Sequence, residues 1–330
     1  MRVVQIHTPG GPDALRIVDV PTPEPGPGQV RVQAHAIGVG GPDRLIRKGT
    51  YKWMPPLPAV PGNELAGVID ALGDGVTKWS LGQRVFISSR ELPDRGGCYA
   101  EAICVPEEAP FALPDSISFE AAVSLGNVQL AQALLLGCNG GLPVKSILVP
   151  GAAGGVAGAL TQLARHHGMT VLGTASTPEK RDFALANGVH HVFEPDAAAL
   201  PAAVMAHTAG RGVDMAFDHL GGAMLLACIR SLAPLGTAVS YNIITGPPAS
   251  DVFAELRHLL SRSLAVRAFS IHTFDQDRGQ RRGLMESAIQ LVAQGHVSVP
   301  PVTAMPLADV QAMHELLDSG QALGKLVLKP

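Results

Sequence analysis

The chain has 330 residues, enough for two domains with sizeable cores. Hydrophobic residues make up 46% against 16% charged, and the net charge is −3 with no basic block. That balance argues against disorder and gives neither nucleic acid nor an anionic membrane an electrostatic footing. Mean hydropathy is +0.22, yet no apolar run approaches membrane-spanning length; richness in Ala and Val accounts for the value.

The opening "MRVVQIHTPGG" lacks the apolar centre of a secretory signal. Through residue 120 the chain is dense in Pro and Gly. The short β-type runs "RVVQI", "LRIVDV", "QVRVQAHAIGV", "LAGVIDAL", "QRVFIS" and "YAEAICV" are separated by turn signals such as "PEPGPG" and "GDG". This spacing predicts a β-rich domain of barrel or sandwich type. Cys98, Cys104, Cys138 and Cys228 form no C-x-x-C pair, so the expectation is a cytoplasmic chain with reduced thiols.

From about residue 145 the texture changes. "SILVP" leads into a helix to about His167, then "TVLGTA" and "TPEKRDFALANG", "HHVFE" and "DAAALPAAVMAHTAG", "VDMAFDHL" and "AMLLACIRSLAP", and "GTAVSY". Near-continuous apolar strands alternating with helices predict a doubly wound parallel sheet covered on both faces. Gly168 and Gly188 stand where helix C-terminal glycines belong. After "AVRAFS" come two more helical patterns and a last strand, "GKLVLKP".

The loop "GAAGGVAG", Gly151–Gly158, joins the first of those strands to its helix. It is neither G-x-G-x-x-G nor a Walker loop, because Ala152 stands two positions before Gly154 and no Lys-Ser/Thr follows. Its register is Gly151-x-x-Gly154-x-x-Ala157. Small residues there let backbone approach a pyrophosphate, and the helix N-terminus supplies free N–H groups. The end of the next strand sharpens the choice of nucleotide. An NAD site places Asp or Glu there, whereas this chain has Thr174, Ala175, Ser176 and Thr177, followed by Lys180 and Arg181. The absent carboxylate and the nearby cations point to NADPH.

Motifs along the whole length resemble the quinone oxidoreductase (zeta-crystallin) branch of the medium-chain dehydrogenase/reductases. They include "GGPDAL", "PTPEPGPGQVRV", "IRKGTY", "LPAVPGNELAGVI", "LGQRV", "GAAGGVAGALTQLA", "GVDMAFDHLGG", "LAPLGTAVS" and "GKLVLKP". The resemblance implies a discontinuous GroES-like catalytic domain, residues 1–122 and 266–330, around a Rossmann NADP(H)-binding domain, 123–265. It also implies a homodimer paired through "LAVRAF". Its cofactor residues fall on Gly151, Ala152, Ala153, Gly154, Gly155, Val156, Thr174, Ser176, Lys180 and Asn242, and its substrate pocket on Gly40, Tyr51, Asn127 and Leu130. Tyr51 matches a cleft tyrosine of quinone reductases and the proton donor of 2-enoyl thioester reductases.

Zinc alcohol dehydrogenases of the same superfamily are the less favoured relatives. Gly40 stands where their catalytic Cys would be and Asn63 where their His would be, so the expectation is no metal. The resulting activity is zinc-free hydride transfer from NADPH to a quinone or α,β-unsaturated carbonyl, with 2-enoyl thioester reduction as the alternative. A nucleotide-binding protein with little catalysis is the alternative from another class. Several positions depart from the family. Gly40 replaces an Asn near the nicotinamide, Leu130 a Thr, Asn242 a Gly, and Pro195 a Tyr found in some members. Gly151 and Ala157 replace the ends of an A-x-x-G-x-x-G loop.

Overall fold

A computed structural model describes residues 1–330. It divides into one unit of Met1–Gly126 with Val299–Pro330 and a second of Asn127–Ser298. The chain begins with β1 (Arg2–Gln5), β2 (Arg16–Asp19) and β3 (Gln29–Val39), then α1 (Gly41–Arg47), β4 (Glu64–Leu72), β5 (Arg84–Ser88), β6 (Ala102–Pro106) and β7 (Phe111–Ala112). The helices α2 (Phe119–Ala122) and α3 (Leu125–Gly137) follow. Strand β3 shows why this half is β-rich. Val30, Val32, Ala34 and Ala36 are buried, while the residues between them are not, the two-residue period of a strand with one face on a core.

The second unit continues with β8 (Ser146–Val149), α4 (Gly155–His166), β9 (Thr170–Thr174), α5 (Pro178–Ala186), β10 (His191–Phe193) and α6 (Leu200–His207). It goes on through β11 (Val213–Asp218), α7 (Gly222–Arg230), β12 (Leu232–Ser240), α8 (Val252–His258), β13 (Ala265–Ala268) and α9 (Arg278–Ala293). Six strands pair in parallel in the order β10-β9-β8-β11-β12-β13. The expected doubly wound sheet is thus present. Helix α4 buries Ala157, Leu160, Thr161 and Ala164, the spacing of one helical face. Gly168 and Gly188 follow α4 and α5 with positive φ, as their positions predict.

The chain then returns through β14 (Val302–Pro306), α10 (Val310–Ser319) and β15 (Lys325–Lys329). The final strand pairs antiparallel with β3 and parallel with β14, completing a seven-stranded sheet. The divisions differ from those expected. The first falls four residues late, after Gly126, and the second 33 residues late, after Ser298. Helix α9 stays with the second unit because Gln129 and Gln132 of α3 donate to the carbonyls of Arg281 and Leu284, and Ser287 donates back to Gln132. A second difference concerns apolar length. The helical stretch Phe119–Gly137 is long and apolar enough to cross a bilayer on composition alone, but most of it is buried inside the protein, as in a core helix.

One buried network ties α10 to the N-terminal segment of the first unit. The Arg47 guanidinium donates to His314 Nδ1 at 3.2 Å and to Asp318 at 2.6 Å, and His314 Nε2 meets the Tyr99 hydroxyl at 3.0 Å. Arginine only donates, so Nδ1 accepts and the ring proton sits on Nε2. Burial, with the adjacent guanidinium, holds His314 down at about 4, against about 6.5 in an unfolded chain. The folded state therefore binds fewer protons than the unfolded one in that interval. The stabilising contribution is complete above about pH 6.5 and is lost as pH falls towards 4. Replacing His314→Phe is expected to cost about 2–3 kcal/mol at neutral pH, because it leaves the Arg47 N–H and the Tyr99 hydroxyl oxygen, both buried, without their partner on the ring. The gap between variant and wild type, measured by urea unfolding, should narrow by up to about 1.4 kcal/mol per pH unit below 6.5. A gap independent of pH would contradict the assignment of this histidine.

Candidate functional site

In a parallel sheet ligands bind beyond the carboxyl ends of the strands, where the strand order reverses. Here the reversal lies between β8 and β11. The residues that follow four strand ends therefore gather at one edge: Gly151 after β8, Ser176 after β9, His219 after β11 and Asn242 after β12.

The loop after β8 is built to expose backbone. Gly151 has φ +62°, a left-handed conformation that disfavours a side chain. A β-carbon there would lie 2.8 Å from His219 Cε1. Gly154 is the N-cap of α4 and offers no side-chain cap, so the first-turn N–H groups are left to a ligand or solvent. A β-carbon on Gly155 would come within 2.6 Å of the Asn127 amide nitrogen. Asn127 thus borders the helix entrance. Ala152 is buried, and its methyl fills the space above Gly173. Ala153 and Val156 complete the loop, half-buried.

Thr174 departs from its expected role. It is fully buried, its hydroxyl accepts from the Gly151 N–H at 3.1 Å and its carbonyl from the Ala152 N–H at 2.9 Å. It supports the loop, because as the buried last residue of β9 it holds two of the loop's N–H groups.

Ser176 is exposed, and Thr177 caps α5 by accepting from the Lys180 N–H. The first carboxylate, Glu179, is spent on its own helix, where the first-turn N–H and the Thr177 hydroxyl hold it below the usual carboxylate range. Arg181 turns away to the Val192 carbonyl at 2.8 Å and to Glu194 at 2.5 Å. Lys180 makes no ion pair in the structure, so it is the cation of this pair left for an anion.

Beyond β11, Asp218 is buried and accepts from the N–H groups of Leu220 and Gly221 at 3.1 and 2.8 Å. Burial raises it to about 6 against those hydrogen bonds. The turn it pins carries His219, whose Nδ1 is buried and has no hydrogen-bond partner. Beyond β12, Asn242 is exposed, and its side-chain amide oxygen accepts from the Ile243 N–H at 2.9 Å. Leu130 lies half-buried in α3.

In the first unit Asp43 is the hub. Its carboxylate accepts from the Gly40 N–H at 2.8 Å, the Gly62 N–H at 3.1 Å and the Asn63 amide at 2.7 Å. Ser89 donates to the other side of that amide at 2.8 Å. Complete burial nonetheless raises Asp43 to about 6. Glu64 pairs with Lys325 nearby. Tyr51 is half-buried with its ring 5.7 Å from that of Trp53.

Comparisons with known proteins agree with this geometry. Residues 26–115 match the alcohol dehydrogenase GroES-like domain, and 155–292 the zinc-binding dehydrogenase model. Rat quinone oxidoreductase is 30% identical over 99% of this chain and 97% of its own. A Pseudomonas syringae quinone oxidoreductase superposes with a TM-score of 0.87 at 30% identity, covering 100% and 99% of the two chains. The Escherichia coli quinone oxidoreductase complexed with NADPH gives 0.87 at 28%, with both chains covered completely. The chain belongs to the quinone oxidoreductase family of the medium-chain dehydrogenase/reductases. It is an oxidoreductase.

Within that quinone oxidoreductase frame the departures acquire physical form. Gly40 has an extended backbone, and a β-carbon there would meet nothing closer than 3.8 Å, so the position makes no steric demand for glycine. Gly151 is different, because both its φ and the His219 ring exclude a side chain. Sequence reasoning did not single out His219 or Asp43. The signal for His219 was its place directly after the acid that ends an apolar strand. Gly151→Ala is expected to destabilise the protein by about 2 kcal/mol or more through strain and overlap. Gly154→Ala, at φ −73°, should cost about 1 kcal/mol or less. Thermal and urea unfolding of the two variants give the comparison, and equal losses would refute it.

Proposed function

We propose that this chain is an NADPH-dependent, zinc-free reductase of quinones or α,β-unsaturated carbonyls. The observation that carries this reading is a glycine-lined cradle at the sheet's switch point beside a β9 end with no available carboxylate. The loop of Gly151, Ala153, Gly154, Gly155 and Val156 would hold the pyrophosphate on backbone N–H groups. Ser176 and Lys180 would meet the 2′-phosphate. When bound, NADPH supplies a hydride to an electrophilic carbon. The Escherichia coli relative is described with NADPH, which supports the same cofactor here.

Zinc-assisted alcohol oxidation finds no support in the side chains at the corresponding positions. Gly40 has no donor atom, and both ends of the Asn63 amide are engaged by Asp43 and Ser89. After hydride delivery the acceptor's oxygen or α-carbon takes a proton, and Tyr51 is the side chain proposed to give it. The same chemistry extends to 2-enoyl thioesters. Gly40 and Leu130, which remove two polar side chains of the family pocket, favour a second reading as an NADPH-binding protein with little turnover. We further propose a cytoplasmic homodimer. Its support is the edge position of β13, which pairs only with β12, and four free cysteines.

Loss of NADPH absorbance across a panel of quinones, enones and 2-enoyl thioesters tests the reading. Oxidation with at least one of them is the expected result. Thermal stabilisation by NADPH with no oxidation would favour the binding reading. Tyr51→Phe should lower turnover on a good acceptor at least tenfold, about 1.4 kcal/mol of barrier; unchanged turnover removes it from the mechanism. Lys180→Glu should raise KM for NADPH at least about tenfold while moving KM for NADH far less, since only NADPH carries the extra phosphate. Equal shifts for both would remove Lys180 from the phosphate site.

A further inference from the structure

His219 sits where the two halves of the parallel sheet part, one residue past β11 and across from the loop that follows β8. Its ring occupies the space a β-carbon on residue 151 would need, with Cε1 at 2.8 Å and Nε2 at 3.2 Å from that position. The Tyr241 ring lies against it, centroids 5.8 Å apart and tilted by 35°. Asp218, its neighbour, spends its carboxylate on the turn's N–H groups, so no acid pairs with the imidazole. Burial holds the ring down at about 4, hence neutral at physiological pH. A neutral imidazole carries one N–H and one lone pair, and Nδ1 is closed off from solvent without a hydrogen-bond partner.

An unmet buried polar atom costs free energy, and a native fold keeps one where function requires it. A ring needed only for packing would be better served by Phe. We infer that His219 is a cofactor-contacting residue of this chain, hydrogen-bonded through its ring to the bound dinucleotide, and that Gly151 is glycine partly to seat it. The inference rests on the NADPH reading above. It assigns to the pair a role in affinity: His219 narrows the cradle next to the loop's first glycine and presents a polar atom there.

The test is NADPH binding by titration calorimetry with wild type, His219→Phe and His219→Asn, alongside thermal unfolding without ligand. His219→Phe keeps the ring's shape and removes its nitrogens. It should unfold at or above the wild-type temperature, since an orphaned polar group is gone, and bind NADPH roughly tenfold more weakly, as for one lost hydrogen bond. His219→Asn, which keeps a donor and an acceptor on a shorter side chain, should bind between the two. Ring-nitrogen NMR of the wild-type protein provides a readout that needs no variant to fold. NADPH should move one neutral histidine's signals, absent from the His219→Asn spectrum. If His219→Phe binds NADPH as wild type does, or no histidine signal moves, the inference falls while the cofactor reading stands. If the wild-type protein binds no NADPH, the cofactor reading itself falls.

Discussion

The second unit depends on one constraint, the exposure of loop backbone at the carboxyl edge of a parallel sheet, the geometry that lets a charged ligand approach. Such an approach forbids side chains at the first turn of the loop and leaves helix N–H groups without partners. Everything nearby compensates for that. Thr174 gives up its hydroxyl to hold the Gly151 N–H, and Ala152 fills the space above Gly173. Asp218 fixes the facing turn from beneath. The loop is shaped by residues that never need to touch what it holds.

The first unit solves a similar problem with a different device. One buried carboxylate gathers the backbone of Gly40 and Gly62 and the Asn63 amide. The cost is a carboxyl whose ionised form is disfavoured by burial, and the hydrogen bonds from Asn63 and Gly40 offset it only in part. The sign of the pH effect follows. Asp43 binds protons more readily in the folded chain, so the stability this group contributes is greatest below about pH 4, its unfolded value, and declines as pH rises to about 6. His314 acts in the opposite sense over an overlapping interval. The two nearly opposed slopes would leave the intact protein's acid profile flatter than either group alone would make it.

Much of this was legible in the sequence where one short segment carries the information. The alternation in "QVRVQAHAIGV" specifies a half-buried strand, the apolar "SILV" a fully buried one, and the glycines of "GAAGG" a loop that exposes backbone. What could not be read was any contact joining distant segments. Arg47 meets His314 across 267 residues, and Asn127 meets the loop at Gly155 across 28. No periodicity encodes such pairings. The late second division has the same origin: two glutamines in α3 hold α9 through its carbonyls, and glutamine in an apolar helix looks like an exposed residue until its partner is known. The engagement of Thr174 by the loop was not legible either, since its partners Gly151 and Ala152 lie more than twenty residues away.

His219 shows why a departure from a family pattern is worth more when paired with a second one. Taken singly, glycine for alanine at 151 is a small and neutral-looking change, and a histidine after Asp218 is one of 12 in the chain. In the fold they are one feature, because the ring stands in the volume the methyl would fill. Either change alone would be unfavourable: alanine at 151 would collide with the ring, and a smaller residue at 219 would leave the bare backbone of Gly151 without a neighbour to pack against. A buried ring nitrogen without an intramolecular partner, as at Nδ1 of His219, is a stability cost. Its tolerance at the rim of a ligand cradle is the pattern expected where affinity, not the resting fold, is under selection.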